Sequence, residues 1–166
     1  SMYKVCNSNL LFHGCIPMDN NGDFQSIAIN GTQYSGKALL DKIDTLISEA
    51  YFSRKNNNNS YARDFMWYLW CGSKSPLYGK DKMAFFERYF IDDKSLHKEN
   101  YNSYYTFSEN LEVCCDILNM FNIDIQKGHI INGHVPVKIK NGESPIKADG
   151  KLFVIDGGIS KAYQQA

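Results

Sequence analysis

Two of the four histidines in this 166-residue chain stand beside a glycine where an apolar, strand-like run stops. One is His13, in Leu11-Phe12-His13-Gly14-Cys15-Ile16-Pro17. The other is His134, in Asn132-Gly133-His134-Val135-Pro136-Val137. An imidazole at the mouth of a sheet can offer a lone pair to a divalent cation. The adjacent glycine lets the backbone turn and leaves room for a substrate. The two runs lie far apart along the chain, so only a folded sheet could bring them to one ion. With bonds of ~2.1 Å, two ligands of the same ion need nitrogens about 3–4 Å apart. Each ring should bind through one nitrogen while a carbonyl or carboxylate holds the other. Two histidines make half of a metal site.

The other patterns have plainer readings. Gly31 to Ala38 nearly fits the phosphate loop Gly-x-x-x-x-Gly-Lys-Ser/Thr, but Ala38 stands where magnesium needs a hydroxyl. A hairpin followed by a capped helix accounts for the same residues, and a nucleotide-binding module at 31–38 is the alternative function. Asp19-Asn20-Asn21-Gly22-Asp23 opens like a calcium loop, yet its glycine comes early and Asn30 replaces the closing glutamate, so it reads as a solvated turn. Cys114-Cys115 falls on a helical face and reads as core. His97 reads as exposed in a charged loop, and His129 as structural at a strand start. A bound phosphate needs fixed cations. Arg88 comes first, for its planar fork, followed by Lys80 and Lys82 in a glycine-containing loop, with Lys74 completing a cluster.

The elements that must position these groups follow from periodicity and turn signals. Residues 9–15 read as a buried strand ending at His13-Gly14. Phe24 to Ile29 alternates as a strand, Asn30-Gly31 is a hairpin turn, and Thr32 to Tyr34 returns. Ser35 is placed to cap a helix with Leu39, Leu40, Ile43, Leu46, Ile47 and Ala50 on one face. Asn56 to Asn59 is a polar break. Ser60 is placed to cap a second helix, with Phe65, Met66, Leu69 and Trp70 as its apolar residues and Gly72 ending it. Residues 85–91 fit either strand or helix. Ser108 should cap a third helix, with Leu111, Cys114, Cys115, Leu118 and Met120 packed and Asn122 closing it. Strands are expected near 129–133, 135–140 and 152–156, with turns at Asn141-Gly142 and Asp149-Gly150.

Composition narrows the class. At 43% hydrophobic and 14% aromatic, with 11 Tyr and 10 Phe, the chain can bury a real core containing a sheet. A formal net charge of zero argues against a broad nucleic-acid surface. Five cysteines with no Cys-x-x-Cys pair read as reduced thiols, hence a cytoplasmic protein. No apolar run is long enough to span a bilayer. Ser1-Met2 reads as a tag remnant, and both ends look cut from a longer protein. A sheet edge exposed by such a cut would favour a homo-oligomer.

Longer blocks carry a family resemblance. Leu11 to Pro17 resembles the fourth metal-ligand motif of calcineurin-like metallophosphoesterases, and Gly133-His134-Val135-Pro136 is similar to their final Gly-His motif. Tyr68-Leu69-Trp70-Cys71-Gly72 and Tyr105-Thr106-Phe107 follow the chain order of phosphoprotein phosphatases, and an enzyme of that kind is a further alternative. Leu152 to Gly158 fits the strand and glycine turn after the last histidine. The fuller similarity is to class III fructose-1,6-bisphosphatases. It runs through Trp70 to Met83, Phe86 to Phe90, Gly128 to Lys138, and Lys151 to Tyr163.

The resemblance implies an α/β (α+β) fold, with residues 1–166 a single-domain fragment. That fragment would be the C-terminal half of a two-sheet sandwich flanked by helices. It implies a manganese-dependent hydrolase of carbohydrate metabolism and gluconeogenesis that removes the 1-phosphate of a sugar bisphosphate and leaves fructose 6-phosphate. Such sites use two ions to activate water and stabilise phosphoryl charge. His13 and His134 would ligate the same ion, with Asn132 and Asp156 supporting them from behind. Pro136 stands where many phosphoesterases carry a further histidine. The Asp-x-His, Gly-Asp-x-x-Asp-Arg and Gly-Asn-His-Asp/Glu motifs do not occur here. The acid histidine is therefore expected upstream, and the fragment alone is expected to be inactive.

Overall fold

Leu10, Ile130 and Leu152 pair in one row across three neighbouring strands, and all three are buried. In a strand, alternate residues share a face. The next residues on that face, Phe12 and Asn132, are therefore also drawn inward. A computed structural model describes residues 1–52 and 60–156. Its main sheet has the order β1 (Tyr3–Cys6), β2 (Asn9–Phe12), β5 (His129–Asn132), β7 (Leu152–Val154) and β6 (Ile146–Lys147). The three inner strands run parallel, and the two edge strands are antiparallel to their neighbours. All three inner strands thus open their carboxyl ends at one rim, where open α/β sheets place ligands.

The link from β2 to β5 holds the remaining elements. The hairpin of β3 (Ile27–Ile29) and β4 (Thr32–Tyr34) turns on Asn30 and Gly31, whose φ angles of 49° and 78° suit a tight two-residue loop. Helix α1 (Gly36–Phe52) buries Leu39, Leu40, Ile43, Leu46 and Ala50, as its spacing predicts. Each of these leucine and isoleucine side chains contributes about 1.5–3 kcal/mol when fully removed from water. Helix α2 (Ser60–Cys71) packs on α1. Short helices α3 (Glu87–Phe90) and α4 (Tyr104–Phe107) precede α5 (Leu111–Met120), which sets Cys114, Ile117 and Leu118 against the sheet core. Asn122 follows α5 with φ 56°, the left-handed stop expected of it.

The α/β class is as expected, but several details differ. The described residues hold a five-stranded sheet and a two-stranded hairpin sheet. Strand β1 was not foreseen. Its turn, Asn7-Ser8, has φ 49° and 61°, and asparagine at such a position is the missed signal. Residues 135–140 are not a strand but lead into a 3-10 turn at Ile139–Asn141. Asn110, not Ser108, caps α5, its side chain accepting from the Glu112 amide at 2.7 Å. Ser108 is buried at the end of α4, and its carbonyl accepts from Cys114 Sγ. On α2, Met66 and Trp70 face solvent while Phe65 and Leu69 are buried. The polar break at Asn56 to Asn59 and the Gly157-Gly158 turn lie outside the described residues. All five cysteines are free thiols, and no helix among the described residues is long and apolar enough to cross a membrane.

Candidate metal centre

The carboxyl ends of β2, β5 and β7 place His13, His134 and Asp156 at one rim of the sheet. His13 follows β2 directly, and its carbonyl accepts from the Gly133 amide at 2.9 Å, tying the two His-Gly corners together. Val135 N–H donates to Gly133 O at 2.9 Å, so His134 occupies the centre of a three-residue turn with φ 71°. A non-glycine residue seldom accepts that conformation, and such strain gathers where function fixes a side chain. The turn was expected to fall on Gly133, whose own φ is not in the left-handed region; it falls on the histidine.

The outcome is a close pair. His13 Nε2 lies 3.0 Å from His134 Nδ1. Two ligands at ~2.1 Å and at right angles about one ion would stand ~3.0 Å apart. His134 Nε2 lies 2.7 Å from the Tyr78 carbonyl oxygen, which can only accept, so Nε2 carries the proton. In the neutral ring Nδ1 then holds a lone pair, and His13 Nε2–H donates to it. A cation at this point would take His134 Nδ1 as it stands, while His13 would first move its proton to the other ring nitrogen. The expected second support is present for His134 and, among the described residues, absent for His13 Nδ1. Burial holds the His134 pKa below its ordinary value, and the charges of His13 and Lys80 act in the same direction. The Tyr78 carbonyl and the Asp156 carboxylate oppose them. The neutral, ligand-competent form is therefore favoured.

Asn132 braces the corner from behind, and Asp156 stands beside it. Asn132, 2% exposed, donates through Nδ2 to the Gly14 carbonyl at 3.2 Å and to the Tyr104 hydroxyl at 3.0 Å. Its Oδ1 is buried with no partner among the described residues. Asp156 flanks Gly133, where an added Cβ would come within 3.7 Å of the Asp156 Cβ. Gly14 is needed for packing: a Cβ there would collide with the Pro76 carbonyl, which already accepts from the Cys15 amide at 2.8 Å. Among the described residues no group of three or more His, Cys, Asp or Glu side chains could hold an ion, so the pair remains half a site.

The expected cation cluster is not assembled at this rim. Lys80 and Arg88 both turn to Glu99, at 2.7 Å and 3.8 Å. Lys82 Nζ donates to the Leu96 carbonyl, and Lys74 is an exposed residue of the preceding loop. The charge of Lys80 reaches His134 and disfavours its protonated form. His97 is half-buried, its Nε2 lying 2.7 Å from the Ile91 carbonyl, and His129 stacks edge-on with Phe153 at 5.5 Å. At 31–38, Lys37 is paired with Asp41 at 2.6 Å and its amide faces Met120 Sδ, so no open phosphate cradle forms. Sequence reasoning missed Tyr78, Tyr104 and Glu99. Tyr78 acts through its carbonyl, which no residue type announces.

The mixed sheet and flanking helices define an α/β domain with a close imidazole pair at the carboxyl rim of its parallel strands. The chain belongs to the Firmicute fructose-1,6-bisphosphatase family, whose model matches residues 1–166. It is 57% identical to a class 3 fructose-1,6-bisphosphatase of Clostridium tetani, over 99% of this chain and 25% of that protein. Identity to the class 3 fructose-1,6-bisphosphatase of Fusobacterium nucleatum is 56%, over 98% of this chain and 25% of the relative. The corresponding protein of Clostridium acetobutylicum is 54% identical, over 99% and 25%. The chain thus spans about a quarter of the length of the curated relatives it matches. No solved structure matches it.

Proposed function

We propose that this chain is part of a cytoplasmic, metal-dependent phosphoric monoester hydrolase that releases the 1-phosphate of fructose 1,6-bisphosphate in gluconeogenesis. The observation that carries this reading is the 3.0 Å separation of His13 Nε2 and His134 Nδ1, in a chain of this family. The two imidazoles would hold one ion, with manganese as the proposed metal. Bound ions would supply activated water and charge stabilisation for the departing phosphoryl group. This chain's own part is to fix two nitrogens in place. Tyr78 O sets the His134 tautomer, and Asn132 bridges to Gly14 and Tyr104. The remaining ligands and the catalytic acid belong to the other three-quarters of the parent, which makes residues 1–166 a single inert subdomain of its catalytic half. β1, at the edge of the sheet, offers a surface for self-association.

Phosphate release from fructose 1,6-bisphosphate with manganese tests this directly. The full-length parent should turn over, and this chain alone should not. Efficient release by the isolated chain would show that no essential ligand lies outside it. A parent inactive on this substrate would remove the reading itself. The nucleotide reading of 31–38 gains no support from the engaged Lys37. The relatives' names favour a sugar phosphatase over a phosphoprotein phosphatase.

A further inference from the structure

A groove of about 790 Å³ opens beside the histidine corner, within the size range of small-molecule sites. The two imidazoles do not line it, but Gly133 and Val135 on either side of His134 do. Asn132, nearly fully buried, lines this end of the groove. Tyr101 and Tyr105 form one wall, their rings 5.6 Å apart in an edge-on pair. Lys138 and Lys147 stand on another.

The two lysines differ. Lys147 is paired with Glu109. Glu143 accepts from the main-chain amide of Lys138 at 2.9 Å, and the Lys138 ammonium has no ion pair among the described residues. Lys138 is therefore the free cation of this groove. In contrast, Lys80, Lys82 and Arg88 are committed to Glu99 or to loop carbonyls.

We propose that this groove seats the part of the substrate that is not cleaved. The sugar lies against Tyr101 and Tyr105, and the distal phosphate is held by Lys138. The assignment rests on the sugar-bisphosphatase reading given above and adds a specificity residue to it. A charge-assisted contact of this kind discriminates about 10- to 100-fold between ligands that have the anionic group and those that lack it.

The test compares kcat/KM of the full-length parent for fructose 1,6-bisphosphate and fructose 1-phosphate. Wild type should prefer the bisphosphate. Lys138→Met should lower that preference about tenfold or more, and Lys138→Arg should restore most of it. Lys138 is exposed, so neither change threatens folding. A parent active on both substrates with an unchanged ratio in Lys138→Met would overturn the groove assignment and leave the enzyme reading standing. A parent that releases phosphate from neither substrate would remove that reading, and this one with it.

Discussion

His13 and His134, carried by neighbouring parallel strands, meet with Nε2 and Nδ1 3.0 Å apart. His13 is exposed, and its ring bonds only to His134 among the described residues. His13→Ala should therefore change the stability of this chain by no more than about 0.5 kcal/mol. In the parent, the same change, like His134→Ala, should weaken manganese binding at least about 100-fold, since even supporting partners of metal ligands carry 10–100-fold effects. Calorimetric titration with manganese reads the second, and thermal unfolding of the chain the first. Wild-type metal affinity in either variant would take that residue out of the metal shell.

The two glycines beside the histidines should respond differently to the same substitution. A Cβ at Gly14 runs into the Pro76 carbonyl, a main-chain atom with little freedom to retreat. At Gly133 the nearest atoms are 3.7 Å away, ordinary contact. Gly14→Ala should cost about 1–3 kcal/mol, the usual penalty of overpacking. Gly133→Ala should stay within about 1 kcal/mol. Urea unfolding of the two variants side by side decides it, and equal losses would contradict the packing described here.

Asn132 bridges Gly14 O and Tyr104 Oη from the buried face of β5. Asn132→Ala leaves both partners buried without it, at about 1–3 kcal/mol of stability. Asn132→Asp should fare no better, because a carboxylate cannot donate to the Gly14 carbonyl. A stability loss below about 0.5 kcal/mol in Asn132→Ala, measured by chemical denaturation, would mean that the bridge is idle.

Glu99 gathers Lys80 Nζ at 2.7 Å and the Ala84 amide at 2.9 Å. Its bond to Lys80 holds the carboxyl below the usual range, against burial, with the Ala84 amide and Arg88 helping. Its folded pKa is thus lower than its unfolded value of ~4.3. The stabilisation is fully present above that value and is lost as pH falls through the folded pKa. Denaturation followed from about pH 6 to about pH 3 should show this loss, and Glu99→Gln should flatten it. An unchanged pH profile in Glu99→Gln would exclude the contribution.

Much of the scaffold could be read from local chemistry. The α1 stripe, the Asn30-Gly31 turn and the strand ending at His13 each follow from periodicity or turn preference within a few residues. The histidine pair was legible as two candidates, and the sheet then brought them into contact. The lysines and arginine were not legible. Their choice of partner was settled by Glu99 and by loop carbonyls, contacts between segments that no spacing rule connects. Asn132 could be named as a supporting residue, but the groove beside it depends on how residues 101–109 and 133–148 pack together. Met66 and Trp70, with Phe85, Phe86, Tyr89 and Phe90, are large apolar side chains that lie exposed. An apolar stripe says that a face wants cover, and not whether this chain provides it.

The acceptor that fixes the His134 proton is the peptide oxygen of Tyr78. Exchanging the side chain at position 78 leaves that oxygen where it is. The proton's address on His134 is thus written in the course of the polypeptide rather than in its alphabet. It would tolerate sequence drift at position 78 and yield only to a change that displaces the whole loop.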